Sequence, residues 1–276
     1  MTLTRPQSLP PALTPSQAIG VFDSGLGGLT ITKQIVTHLP NEHLIYVADS
    51  AYAPYGELTT AQIHQRANTI SHWLVKQGCK AIVIACNTAT VNVIEQLRAR
   101  FSLPIIGVEP AIKPASQISN NKKVAILVTQ ATARNSNFLS LVEQHKNDSE
   151  VVIQPCPGLV ELIEQGEMAS PKCQQLLAHY LQPLLKQNID TLVLGCTHYP
   201  FVSDLIKKLL GDKVALVETS TPVTLQLIKQ LEKFHLLNDN STSGQQQFYS
   251  SLANEVQQQL FIKLWGKQLE LVSFHP

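Results

Sequence analysis

Apolar residues along the chain fall into short uninterrupted runs separated by longer stretches of helical spacing. Residues 18–22, 44–48, 81–85, 124–128, 151–153, 191–194 and 214–217 show almost no polar alternation, the mark of strands buried on both faces. Between them, Leu29, Ile31, Ile35 and Leu39 are spaced as a helix that Pro40 ends, and Ile63, Ala67, Ile70 and Leu74 recur on one helical face. Buried strands alternating with helices predict a mostly parallel, doubly wound α/β architecture. Near the C-terminus, residues 238–259 are rich in Asn, Ser and Gln, while Leu252, Val256, Leu260 and Leu264 keep helical spacing. That segment is expected to form a surface loop and an outer helix.

The pattern also repeats. Leu74-Val-Lys-Gln-Gly-Cys-Lys-Ala-Ile-Val-Ile-Ala-Cys-Asn-Thr88 aligns without gaps on Leu184-Leu-Lys-Gln-Asn-Ile-Asp-Thr-Leu-Val-Leu-Gly-Cys-Thr-His198. Each copy reads as a helix end, a turn, a buried strand, a small residue and then a cysteine. Two related α/β halves follow, each presenting a thiol at the carboxyl end of a strand, where ligands of open α/β sheets bind.

Composition narrows the class. The 276 residues are 44% hydrophobic and 15% charged, with a net charge of +1. Normal apolarity with low charge argues against disorder, and near-neutrality gives no electrostatic footprint for nucleic acid. No apolar run reaches the ~20 residues that span a bilayer. Residues 1–18, rich in Pro, Thr and Ser, lack the apolar core of a signal peptide and are expected to be a mobile tail. The five cysteines, an odd number with no C-x-x-C, are not a disulfide framework. A reducing, cytoplasmic setting is expected.

The chemistry therefore rests on particular thiols. Cys86-Asn87-Thr88 and Cys196-Thr197-His198 place a sulfur and hydrogen-bonding side chains at equivalent strand ends. Facing each other across a cleft, two such thiols could remove a proton from one face of a carbon and deliver one to the other, which is what a racemase without a cofactor needs. His198 could assist Cys196 and Asp23 could assist Cys86. The loop Asp23-Ser-Gly-Leu-Gly-Gly28 is neither a dinucleotide fingerprint nor a P-loop: position 30 is Thr30 and no G-K-[ST] follows. Ser24, Tyr55, Asn87, Thr88 and Thr197 offer neutral donors for carboxylates. No arginine lies in these motifs, which argues against a bidentate arginine clamp on substrate. An α-ammonium group would look to Asp23 first and Glu164 second. Cys79, Cys156 and Cys173 are read as packing residues.

The motifs Gly20-Val-Phe-Asp-Ser-Gly-Leu-Gly-Gly28, Tyr46-Val-Ala-Asp-Ser50 with Pro54-Tyr-Gly56, Ala85-Cys-Asn-Thr-Ala89, Gly107-Val-Glu-Pro110 and Leu194-Gly-Cys-Thr-His-Tyr-Pro200 resemble those of the glutamate racemase family, over about residues 19–275. The resemblance implies an isomerase making D-glutamate for peptidoglycan with no cofactor and no metal. It implies two similar doubly wound parallel-sheet domains with the active site in the cleft between them. The first would comprise residues 19–109 plus 222–276, and the second, inserted, residues 110–221.

The catalytic set implied is Cys86, Cys196, Asp23, His198 and Glu164, with Cys86 working on D-glutamate and Cys196 on L-glutamate. The substrate contacts implied are Asp23, Ser24, Tyr55, Gly56, Asn87, Thr88, Thr197 and His198, with Thr129 and Thr132 as a T-x-x-T pair holding a carboxylate. Glu161 lies close enough to Glu164 to leave their register open. Asn135 stands where a Ser is common, and Gly158-Leu159 replaces a bulkier stretch. The N-terminal extension resembles members activated by a UDP-linked muramyl-alanine precursor of peptidoglycan. The oligomeric state, a homodimer among the possibilities, is left open. Two rival readings stand beside this one: an aspartate or hydantoin racemase of the same superfamily, and a thiol hydrolase using Cys196 and His198.

Overall fold

The computed structural model describes residues 13–276; most of the expected tail, residues 1–12, lies outside the described residues. Among the described residues, ten strands form two parallel sheets. The first contains β1 (Ile19–Asp23), β2 (Leu44–Ala48), β3 (Ala81–Ile84) and β4 (Ile105–Gly107). The second contains β5 (Lys123–Val128), β6 (Glu150–Pro155), β7 (Thr191–Leu194) and β8 (Ala215–Val217). The chain then returns, and β9 (Gln246–Ser250) and β10 (Leu271–Ser273) extend the first sheet. The orders are β10-β9-β2-β1-β3-β4 and β6-β5-β7-β8, and every neighbouring pair is parallel.

Parallel strands need crossovers, and helices supply them. They are α1 (Leu29–His38), α2 (Thr60–Lys76), α3 (Asn87–Arg100), α4 (Ile112–Ile118), α5 (Gln130–Arg134), α6 (Ser136–His145), α7 (Leu159–Glu164), α8 (Pro171–Lys186), α9 (Ser203–Leu210), α10 (Ser220–Lys233) and α11 (Glu255–Trp265). β1–β3 and β5 are buried along their whole length or nearly so, as the uninterrupted runs predicted. The internal repeat is structural as well: α2 and α8 end at Lys76 and Lys186, and β3 and β7 start at Ala81 and Thr191, in step with the sequence alignment. Beyond the cysteines the copies part, since Cys86 caps α3 whereas Cys196 leads into a short 3₁₀ turn at Tyr199–Val202.

The order within each sheet places the site. β1 lies between β2 and β3, so the chain turns to opposite sides of β1, and the crevice at its carboxyl end is a topological switch point. β5 holds the same position between β6 and β7. Asp23 ends β1 with Ser24 just beyond it, and the loops after β3, β5 and β7 carry Cys86, Thr129 and Cys196.

The C-terminal region departs from expectation. The polar stretch is not a surface loop throughout: Gln246–Ser250 pairs residue by residue with β2. Its Phe248 packs against Tyr46 and Trp265 on one face, while Tyr249 packs against Trp73 on the other. Two aromatics among Gln and Ser suffice for a strand next to the sheet's edge, where apolar continuity is not required. The expected apolar stripe of α11 holds in part: Leu260 and Leu264 pack against the core of the first half, whereas Leu252, ahead of the helix, and Val256 are exposed and Gln257 and Phe261 are buried. β4 was not anticipated, being only three residues long after Pro104.

Candidate active site

Cys86 and Cys196 come from different cores. Cys86 belongs to the apolar cluster around α2, β3 and α3 in the first half, and Cys196 to the cluster around α7, α8 and β7 in the second. Both are nearly inaccessible and line one small cavity together with Ser24, Tyr55, Gly56, Asn87, Thr88, Thr129, Thr197 and His198. Its volume is about 10 Å³, room for about one water. The cleft is closed.

Each thiol is backed by a polar side chain and then a carboxylate. Cys86 Sγ donates toward Ser24 Oγ at 3.7 Å, and Ser24 donates to Asp23 Oδ1 at 3.0 Å. Cys86 Sγ also accepts from the Ala89 N–H at 3.3 Å, as the N-cap of α3. In the second half, Cys196 Sγ lies 3.7 Å from His198 Nδ1, and His198 Nε2 lies 2.6 Å from Glu164 Oε1. A carboxylate only accepts, so Nε2 carries the proton.

The environment sets the charge states. Burial, reinforced by the charge of Asp23, pushes the Cys86 thiol well up and keeps it protonated. Burial also raises the Asp23 carboxyl, against the pull of His198, Thr197, Gly25 and Ser24. For His198, burial alone would favour the neutral ring, but the hydrogen bonds and charges of Cys196 and Glu164 outweigh it and lift the imidazole well above its ordinary value. The protonated form of His198 is thereby favoured, with Nδ1 facing the Cys196 sulfur.

Several bonds cross between the halves. Thr197 donates to Asp23 Oδ2 at 2.8 Å, and the Leu26 N–H donates to Glu164 Oε1 at 2.7 Å. The Thr88, Thr129 and Thr132 hydroxyls form a triangle of 2.9, 3.1 and 3.0 Å between α3 and the start of α5. The glycine loop is shaped by these approaches. A Cβ on Gly25 would lie 1.9 Å from Glu164 Oε1, and one on Gly27 would lie 2.4 Å from His198 Nδ1. These glycines admit the acid and the imidazole of the other half.

Not every anticipated residue reaches the cavity. Asp23, Glu164 and Thr132 stand behind it, the first two as partners of Ser24, Thr197 and His198 and the third as partner of Thr88 and Thr129. Glu161 is apart from Glu164, lining an adjoining cavity with Glu57 and Cys156, so of the two glutamates Glu164 is the one that meets His198. Tyr55 lines the cavity, but its hydroxyl is not a free donor for a carboxylate, because it donates to Asp49 Oδ2 at 2.6 Å. Asn87 Oδ1 is buried with no partner. The pairing of Asp49 with Arg66 was missed: Asp49 sits in the motif after β2 with no role assigned, Arg66 lies mid-helix on α2, and no motif joins them. Among the described residues, no group of three His, Cys, Asp or Glu side chains is placed to hold a metal ion, and no helix is long and apolar enough to cross a membrane.

A cleft of this kind, with a thiol from each of two repeated α/β halves, belongs to a class of isomerases. The chain belongs to the Asp/Glu/Hydantoin racemase family, whose model matches residues 19–228. Within that family it is of the glutamate racemase type. It is 42% identical to the glutamate racemase of Pseudomonas aeruginosa over 91% of this chain and 95% of that one. Its fold matches a glutamate racemase of Bacillus anthracis with a TM-score of 0.86 and 28% identity, covering 94% of this chain and 97% of that one. It also matches the Escherichia coli glutamate racemase, solved in complex with L-glutamate and the activator UDP-MurNAc-Ala, with a TM-score of 0.82 and 29% identity, covering 93% and 97% of the two chains.

Proposed function

We propose that the protein interconverts L- and D-glutamate without a cofactor, using Cys86 and Cys196 as acid and base on opposite faces of the α-carbon. The observation that carries this reading is the meeting of two sulfurs from different halves in one water-excluding cavity. The α-hydrogen of an amino acid is weakly acidic, so the developing carbanion needs fixed donors at the carboxylate and a dry site. Thr88 and Thr129 line the cavity and supply hydroxyl donors, whereas the Ser24 and Thr197 hydroxyls already donate to Asp23. The unpartnered Asn87 Oδ1 suits the α-ammonium.

Burial favours Cys86 as the neutral thiol, and Cys196 lies 3.7 Å from the His198 imidazole, so in the L-to-D direction Cys86 is assigned the acid and Cys196 the base. Cys196 takes the α-proton of L-glutamate as the Cα–H bond breaks. The Cys86 S–H bond then breaks, and its proton forms the new Cα–H bond on the opposite face. The pair is left with its protons exchanged, and Ser24–Asp23 and His198–Glu164 carry the proton traffic that resets it. A glutamate does not fit in about 10 Å³, so substrate enters when the cross-half bonds at Asp23–Thr197 and Leu26–Glu164 part.

The proposed division is residues 19–109 with 222–276, and residues 110–221; the separate sheets and apolar clusters support it. We assign the product to peptidoglycan synthesis and the setting to the cytoplasm, a placement that five free thiols support. A UDP-linked muramyl-alanine precursor is the proposed activator. The cavity of about 680 Å³ outside the cleft, walled by Arg98, Ile106, Glu109, Gln226 and Phe234, has the size for such a ligand; equal rates with and without the precursor remove that assignment. The function itself is tested by polarimetry with no added cofactor. L-Glutamate should lose its rotation and L-aspartate keep it. Faster loss with aspartate overturns the substrate assignment.

A further inference from the structure

Beyond the thiols, the cavity has a wall whose support joins Asp49, in the motif at residues 46–50, to an arginine outside every motif. The loop from Asp49 to Gly56 leaves β2 and brings Tyr55 and Gly56 against Thr129 and the two cysteines. Such a loop has many conformations available, and something must hold it. Arg66 on α2 does so through Asp49. Its Nε donates to Asp49 Oδ2 at 2.8 Å and its Nη2 to Asp49 Oδ1 at 2.7 Å, the bidentate geometry that fixes both groups in one plane. Its guanidinium also lies 3.9 Å from the centre of the Tyr52 ring, in the same loop. Asp49 is fully buried and Arg66 largely so. The pair therefore works in a medium where its hydrogen bonds are strong and an orphaned charge is costly.

The third member is Tyr55. Its hydroxyl has one proton, and that proton goes to Asp49 Oδ2. Asp49 Oδ2 thus takes a bond from each side, from the guanidinium and from the phenol. The backbone of Asp49 is also fixed, its N–H donating to the Asp23 carbonyl at 2.9 Å. Tyr55 is consequently placed in the cavity with its ring as wall and its hydroxyl turned away to a charged anchor.

We infer that Arg66 and Asp49 are positioning residues for substrate binding, acting through the Tyr55 hydroxyl to hold the Tyr55–Gly56 backbone against the substrate. The inference rests on the reading that glutamate binds between Cys86 and Cys196. It assigns Tyr55 a role opposite to that of a direct carboxylate donor: the hydroxyl binds protein and the loop backbone binds substrate. A wall that contacts ground state and transition state alike contributes uniform binding, so its loss appears in KM more than in kcat.

The test compares Tyr55→Phe, Asp49→Asn and the double variant in both reaction directions. Tyr55→Phe removes one oxygen and leaves the Arg66–Asp49 pair intact, so it keeps the fold. Each single variant should raise KM about tenfold, with kcat within about threefold of the parent, the size of one hydrogen bond to a charged group. The double variant should be no worse than the poorer single one, because both cut the same link. An unchanged KM for Tyr55→Phe overturns the inference, and so does a double variant whose losses multiply to about a hundredfold. Cys86→Ser, assayed beside them, reports on the other reading. Full activity there would strike out the two-thiol scheme while the KM comparison remained readable.

Discussion

Thr197 donates its hydroxyl to Asp23 Oδ2 at 2.8 Å, tying the loop after β7 to the loop after β1. The bond does two things at once. It satisfies a carboxylate that has no exposure to water, and it holds the two halves closed over the thiols. A buried acid whose proton affinity is already raised by burial depends on each such donor.

Thr197→Val should therefore cost stability as well as activity. Removing one hydrogen bond to a buried charged group costs about 1–3 kcal/mol. Thermal unfolding of the pure variant measures it. An unchanged Tm would show that the bond is not made in solution.

The glycine loop gives a steric prediction. Ala at position 27 would put its Cβ 2.4 Å from His198 Nδ1, the atom facing Cys196. Gly27→Ala should displace the imidazole and lower kcat about a hundredfold, the usual effect of an ångström-scale misplacement of a reacting group. The circular dichroism spectrum should stay that of the parent. A variant with parental kcat would mean that the loop yields instead of the histidine.

Glu164→Gln tests the charge of His198. The folded imidazole titrates above its unfolded value of about 6.5. Its stabilisation is thus fully present below about pH 6.5 and is lost as pH rises through the raised folded value. With the carboxylate gone, the imidazole should titrate at lower pH, and that loss of stability should begin at lower pH. Proton NMR of the histidine ring across pH follows the titration. An unshifted His198 resonance would show that Glu164 is not its counter-charge.

Lys80 and Glu42 provide a contrast far from the thiols. Both side chains are buried, with Lys80 Nζ 2.5 Å from Glu42 Oε2, and Lys80 also donates to the Pro15 carbonyl. Glu42 Oε1 accepts from the Asn238 N–H at 2.9 Å, so the pair ties the returning C-terminal segment to the strand starts. Lys80→Met should lower stability by about 3–5 kcal/mol, the cost of leaving a buried charge alone. Denaturant unfolding checks this, and kcat of the folded variant should equal that of the parent.

What the sequence carried and what it hid follow from range. The strands, the repeat and the two cysteines were legible because each is a local pattern, and burial on both faces leaves an uninterrupted apolar run. β9 was hidden because Phe248 and Tyr249 are enough to anchor a strand beside the edge, and its Gln and Ser neighbours read as loop. The ordering of Glu161 and Glu164 needed the helix: only Glu164 projects from α7 to His198, 34 residues away. Arg66 was invisible as a site residue because α2 shows only helical periodicity, and nothing local links it to Asp49, 17 positions earlier. Tyr55 was legible as a site residue but was read as a donor to substrate, since the direction of its single proton, toward Asp49, is a fact of three dimensions.

The two-thiol account is tested most directly by racemising L-glutamate in D₂O and reading both enantiomers early in the reaction. Two bases with separate protons predict D-glutamate carrying deuterium at the α-carbon while the remaining L-glutamate stays unlabelled. Product without deuterium, or label appearing equally in substrate and product, would contradict it.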